Sequence, residues 1–436
     1  MANVTNILLQ VVKAPSGLWP TILNWIERTV VNYGWVIILF TLLIKVCLSP
    51  MDLLIKFTTK KTTLVQQKLS PQLARLNKKY ADDKQQLQMQ TQALYKKEGY
   101  NVFGSCIVTL INLVVTMVVF FTLFASLRQM SAYKAINQYA QMEQAYVQTL
   151  ESETKQNFIS KVNGYLDGSG KTYESEYKVL FEGDPSNELE KGYFYHFFSN
   201  EGLSDESKNL LSSTVIYTNP ESAETVSLLD TLTSSTIEAQ EKANQSAANK
   251  WEEVKDNWLW IKNIWVSDNY KSPIPTYNDL KSLANSSKIA SYKTYVNNIN
   301  PTLYKTVTKA VETKNDGWNG YFILAILSAV LTFLSQWITE RMAKTKNKNI
   351  NNFVDNANPQ ANSMKIMKFI LPILMVIFVL TSSAAFALYI VASSIVSIII
   401  SVITSLIVNA CYKKKEEEII ASLEKEALRS LKKNKR

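Results

Sequence analysis

Four apolar stretches interrupt an otherwise polar chain of 436 residues: 33–49, 104–127, 318–338 and 369–411. Each of the first three, with its flanks, suits one membrane-crossing helix, because about 20 residues at a rise of about 1.5 Å match a hydrocarbon core of about 30 Å. The fourth is uncharged and, as one helix, would measure roughly 65 Å, about twice a bilayer. It therefore reads as a helical hairpin bending at Thr381-Ser382-Ser383. The pattern predicts an all-α polytopic membrane protein with five spans, at 30–50, 104–127, 318–338, 369–384 and 385–411.

The polar connections have patterns of their own. In residues 51–103, Leu53, Leu54, Phe57, Leu64, Leu69, Leu73 and Leu76 recur at helical spacing. Asp82-Asp83 then breaks the pattern and caps a second helix from Lys84 to Glu98, which Gly99 closes. This is a cytoplasmic helical hairpin. The segment 128–317 is a mostly helical extracellular insert, poor in proline and glycine. Within it Trp251, Val254, Trp258, Ile261 and Trp265 recur at three- and four-residue steps and are expected on one helix face. The Ser-, Thr- and Asn-rich stretches 204–214 and 282–287 are expected to be loops. In the outer segment 1–29, residues 6–12 form a short apolar run without a basic start or a convincing cleavage site, so no cleavable signal is expected. Residues 14–29 place Leu18, Trp19, Ile22, Leu23, Trp25 and Ile26 on one side, as in a helix lying along the outer interface. A buried globular helix is the plainer alternative.

Charge sets the expected orientation. Residues 51–103 carry ten Lys/Arg against four acids, 339–368 six against two, and the tail 412–436 nine against five. The stretch 128–316 is net negative. Basic segments belong in the cytoplasm, giving an N-terminus outside and a C-terminus in the cytoplasm of a multi-pass cell-membrane protein. The basic hairpin and tail would suit anionic lipid or ribosomal RNA. DNA is not an expected partner.

Lys45 is the only charge within a core span. Ten residues beyond Trp35, it would lie roughly 15 Å deep, where a cation costs on the order of 2.5 to 3.5 kcal/mol. Such a residue marks a wet cavity or pathway, unless its stem snorkels to the headgroups. Other chemistry is sparse. Cys47, Cys106 and Cys411 all fall in or at the edge of spans and lack metal-ligand spacing, so neither a disulfide framework nor a metal site is expected. His196 sits among Tyr193, Phe194, Tyr195, Phe197 and Phe198 and reads as a member of a packed aromatic cluster. No Walker loop, GxSxG or HExxH pattern is present. The chain is not expected to be an enzyme or to need a cofactor.

Several runs together resemble the YidC/Oxa-type membrane protein insertases: Leu69-Ser-Pro71-Gln-Leu, Tyr80-Ala-Asp82-Asp83, Leu94-Tyr95-Lys96-Lys97-Glu98-Gly99 and Asn101-Val-Phe-Gly104-Ser-Cys106. The similarity continues at Phe322-Ile-Leu, Ser335-Gln336, Phe369-Ile-Leu-Pro372 and Leu388-Tyr389-Ile390-Val391. The resemblance implies a groove open to cytoplasm and lipid, which lets polar flanks of substrate proteins cross the membrane. It makes Lys45 the groove cation, with Asn112 and Gln336 as polar lining. Nascent membrane proteins and lipids would be the partners, with the ribosome at the basic tail and a Sec-type translocon as further candidates. The chain departs from the family pattern in having lysine where arginine is usual, and in its large insert. Ser397-Ile-Ile-Ile-Ser401-Val also lacks the amides and aromatics often found in the last span. Two other readings remain: a membrane-anchored surface-binding protein acting through its extracellular domain, and a secondary transporter binding an anionic solute at Lys45. The second is disfavoured by the absence of paired, Gly/Pro-broken helices.

Overall fold

The computed structural model describes residues 13–80, 82–98, 102–184, 186–187, 191–199, 202–315, 317–343, 373 and 375–434. Residues 6–12, Gly99, Asn101, nearly all of the loop 339–368, the Phe369-Ile-Leu-Pro372 run and the last two residues of the tail lie outside that set. In chain order the elements are α1 (Leu18–Glu27), α2 (Tyr33–Lys79), α3 (Lys84–Lys97), α4 (Val102–Tyr165), α5 (Tyr173–Glu176), α6 (Lys178–Glu182), α7 (Tyr193–Phe198), α8 (Asp205–Ser213), β1 (Val215–Thr218), β2 (Thr225–Ser227), α9 (Leu228–Val254), α10 (Tyr277–Ser286), α11 (Ala290–Asn298), α12 (Pro301–Lys314), α13 (Ile323–Ala343) and α14 (Ala384–Asn434). By length and composition α2, α4 and α14 contain stretches able to cross a membrane, and α13 adds a shorter apolar helix. The chain forms two compact units.

The membrane unit comprises Ser16–Arg128, Asn257–Asn269 and Gly320–Arg436. Its α14 packs on both α2 and α13, and α1 and α3 each pack on α2. Helix α2 runs unbroken from the first span into the hairpin, with Pro50 inside it. Proline removes one backbone donor, and the Val46 carbonyl it would have served accepts instead from the Ser49 hydroxyl at 2.8 Å. Asp83 caps α3 by accepting from the amides of Gln85 and Gln86. Helix α1 buries Pro20, Leu23 and Ile26 while leaving Leu18 and Trp25 exposed. The chain turns at Thr381-Ser382-Ser383 before α14 begins. Around that turn Phe124, Phe378 and Phe386 meet edge-to-face, with centroids 4.8 to 5.7 Å apart among the two Phe124 pairs.

Residues 257–269 correct the expectation of a single tryptophan face. Trp251 and Val254 end α9, whose last turn is closed by the Lys255 amide bonding to the Trp251 carbonyl. Trp258, Ile261 and Trp265 follow in irregular backbone of the membrane unit, where the two tryptophans pack on the start of α2. Trp265 meets Tyr33 at 4.6 Å and Trp258 meets Trp35 at 5.9 Å. Trp258 lies so close to Gly34 that a methyl group there would collide with the indole. The same segment satisfies orphan helix-start amides. Ala384 and Ala385 donate to the carbonyls of Val266 and Ile264 at 2.8 and 2.7 Å, and Leu324 donates to the Asp268 carboxylate at 3.2 Å. Asn32 caps α2 through the Gly34 amide and donates to the Asn257 carbonyl at 2.9 Å. The sequence period was real, but interfacial tryptophans anchoring helix ends produced it.

The second unit comprises Gln129–Asp256 and Tyr270–Asn319 together with the start of the chain through Pro15. It is helical apart from the antiparallel β1–β2 pair. The residue 129–165 part of α4 and α9 run antiparallel. Thr149 donates to Ser246 at 2.9 Å, and Lys242 and Lys161 reach Glu153 and Glu238. Small residues at four-residue steps, Ala239, Ala243 and Ala247, let the two backbones approach, and all three are fully buried. One core gathers Ile136, Tyr139, Trp251, Tyr292 and Tyr304, and a second gathers Phe158, Phe181, Phe194 and Leu211.

Both stretches expected as loops are largely helical. In 204–214, Ser204 caps α8 by accepting from the Ser207 amide, and Leu211 is buried. In 282–287, the residues finish α10, which starts from a Thr276/Asp279 capping box and buries Leu280 and Ala284. Their polar residues lie at caps and on the solvent side, so composition misread amphipathic helices as loops. His196 also differs from expectation. It is exposed, 5.5 Å from Tyr195, while Phe194 and Phe198 supply the buried face of α7.

Candidate polar groove

Within the membrane unit a cavity of about 400 Å³ is walled by four helices. Each contributes polar residues about one turn apart, the spacing that aligns side chains on one helix face. Lys45, Asp52, Lys56, Thr59, Lys60 and Thr63 come from α2, Asn112 and Thr116 from α4, and Ser335 and Thr339 from α13. Helix α14 supplies Ser397, Ser401, Ser405 and Asn409 at strict four-residue steps. Apolar residues occupy other faces of these helices: Leu39, Leu42, Leu43 and Val46 on α2, and Leu110, Val114, Met117 and Phe121 on α4, are all exposed.

The cations differ in how they are held. Lys56 places its three ammonium donors on the Ser401 carbonyl at 2.7 Å, the Ser401 hydroxyl at 2.6 Å and the Ser405 hydroxyl at 2.6 Å. Lys60 forms an ion pair with Glu416 at 2.8 Å. Thr339 and Ser401 share a hydroxyl contact at 3.2 Å, which joins α13 to α14. Lys45 and Asp52 make no hydrogen bond or close ion pair among the described residues. The cavity therefore offers one cation and one anion to an incoming group, while its other charges brace the walls.

Of the residues implied by the family resemblance, Lys45 and Asn112 line this cavity together. Gln336 does not; its neighbours Ser335 and Thr339 do, and the Gln336 side-chain oxygen is buried without a hydrogen-bond partner among the described residues. Asp52, Lys56 and Lys60 fell to the hairpin when the first span was ended at residue 50, yet α2 carries them on the Lys45 face. The serine stripe of α14 was visible as a four-residue period but read only as lost amides. Cys47 and Cys411 are free and exposed.

Residues 25–161 match the model of the 60Kd inner membrane protein family. This part of the chain is similar to YidC-type proteins. Over 107 residues it is 36% identical to "Membrane protein insertase YidC" of Fusobacterium nucleatum, covering 24% of this chain and 48% of that protein. Over 124 residues it is 32% identical to the protein of the same name from Aromatoleum aromaticum, covering 28% and 21%. The Thiobacillus denitrificans protein is 34% identical over 110 residues, 25% of this chain and 19% of that one. The matched part thus spans between a fifth and a half of these relatives' length. No solved structure matches. The matched region holds the α2 and α4 walls of the groove, with Lys45 and Asn112; the α13 and α14 walls lie beyond it. With its long apolar helices the chain is a multi-pass membrane protein.

Proposed function

We propose that the chain is a membrane protein insertase that lets the polar flank of a substrate cross the bilayer through the groove, with the N-terminus outside and the C-terminus in the cytoplasm. The observation that carries this reading is a polar cavity, holding an unpaired lysine, inside helices whose other faces are apolar. Lowering the cost of moving a polar segment through hydrocarbon requires such a place, because each uncompensated polar group costs several kcal/mol there. Lys45 attracts acidic residues of the flank, and Asn112 with the serines and threonines replaces part of their hydration. The substrate's apolar helix partitions into lipid, at roughly 25 cal/mol per Å² of apolar surface buried, and this drives release. No covalent step and no cofactor is required. Nascent membrane proteins are the substrates, lipids surround the groove, and the lysines after Tyr412 are available to ribosomal RNA. A Sec-type translocon is a further partner on this reading.

The test is insertion of a single-span probe with an acidic N-terminal flank into proteoliposomes holding wild type, Lys45→Ala or Lys45→Arg. Loss with alanine and retention with arginine is the expected result. Insertion no better than in empty liposomes for the wild type, with the extracellular region binding a surface partner, would transfer the function to the insert.

A further inference from the structure

The two charges in the groove that are not braced lie on one helix face. Lys45 and Asp52 are seven residues apart on α2, both half-buried and both lining the cavity. Seven residues are two turns, about 10.5 Å along the axis, and the two side chains attract each other without closing into an ion pair. An extended chain rises about 3.3 Å per residue, so three residues cover the same distance. The remaining groove cations are occupied, Lys56 by Ser401 and Ser405 and Lys60 by Glu416.

We propose that Asp52 is a specificity-determining residue of the groove: with Lys45 it selects substrate flanks in which an acidic residue is followed three positions later by a basic one. The inference rests on the insertase reading above. The acid sits at Lys45 and the base at Asp52. A flank entering from the hairpin side with its N-terminus leading brings its first charge to Lys45, the farther site, so acid before base fits and the reverse order sets like charges against each other. A basic residue alone would be repelled by three lysines on α2, and Asp52 is the one carboxylate in the cavity wall that faces them. Were Asp52 present only to offset Lys45, removing its charge would leave the dependence on the order of charges undiminished.

The experiment uses the full chain in proteoliposomes and three otherwise identical single-span probes, whose N-terminal flanks carry Asp-Ser-Ser-Lys, Lys-Ser-Ser-Asp or a single Asp. The wild type is expected to insert the first about threefold or more better than the second, the range of a partly solvated ion pair. Asp52→Asn clearly weakens that preference, leaving only the part due to Lys45, and the exchange Lys45→Asp with Asp52→Lys reverses it, which a merely misfolded variant would not do. Equal insertion of the two orders by wild type, with the single-Asp probe still above empty liposomes, overturns the inference and leaves the insertase reading standing. An undiminished preference in Asp52→Asn overturns it as well. If no probe exceeds empty liposomes, the insertase reading fails and the inference with it.

Discussion

The two units use helices in opposite senses. In the second unit the aromatic and alanine faces of α4 and α9 turn inward, leaving polar residues outside. In the membrane unit Leu110, Val114 and Phe121 face outward while Lys45, Asn112 and Ser401 turn into a cavity. A core filled with side chains specifies a shape. A core left polar and partly open leaves a cavity, and it needs fasteners elsewhere to keep its walls together. Those fasteners are Lys56 on Ser401 and Ser405, Lys60 on Glu416, and the tryptophan segment at the outer helix ends.

Changes that strike the fasteners and the filled core should separate the two units. The largest effect is expected for Trp265→Ala, which removes a fully buried indole from the outer helix ends; loss of about 3–5 kcal/mol should lower the melting temperature of the membrane unit in detergent. Trp251→Ala is expected to cost a similar amount in the second unit. Protease protection of each unit would distinguish them, and loss of both from either variant would break the comparison. Gly34→Ala forces the indole of Trp258 to move, and about 1–3 kcal/mol is expected from overpacking. Lys56→Met keeps the stem but strands two serines; a loss of about 1–2 kcal/mol is expected, with a faster approach of reagents to Cys411.

The smallest effect concerns Glu143, on α4 beyond the apolar span. Burial pushes its carboxyl up, against the pull of the hydrogen bond donated by the Tyr295 hydroxyl at 3.1 Å. A folded pKa above the unfolded one means that the folded state holds this proton more tightly. The contribution of Glu143 to stability is therefore greatest below the ordinary carboxyl value, about 4.3, and declines as pH rises through the folded pKa. Glu143→Gln should flatten that decline. Unfolding midpoints measured from acid to neutral pH would check it, and parallel curves for the two proteins would deny the role.

How much of this was legible depended on whether a residue's neighbours were near in sequence. Helical spacing and hydropathy carried the all-α architecture, the turn at Thr381-Ser382-Ser383 and the Asp83 cap, because each is decided within a few residues. Lys45 was conspicuous because a lone cation in an apolar run has few uses. The bonds of Lys56 were not legible, since Ser401 and Ser405 lie about 350 residues away and look like ordinary small residues in a span. Trp258 and Trp265 had the period of a helix and the role of an anchor, and only their partners Trp35 and Tyr33 decide between the two. In 204–214 and 282–287, serines that cap and coat helices have the composition of loops.

The segment 257–269 has a consequence for the modularity of the chain. It is encoded in the middle of the insert, yet the starts of α13 and α14 depend on its carbonyls and on the Asp268 carboxylate. The insert is therefore not a removable cassette. Excising 128–317 whole would take away, with the second unit, the acceptors on which the starts of α13 and α14 rest, whereas a graft that keeps 257–269 between short tethers would leave them in place.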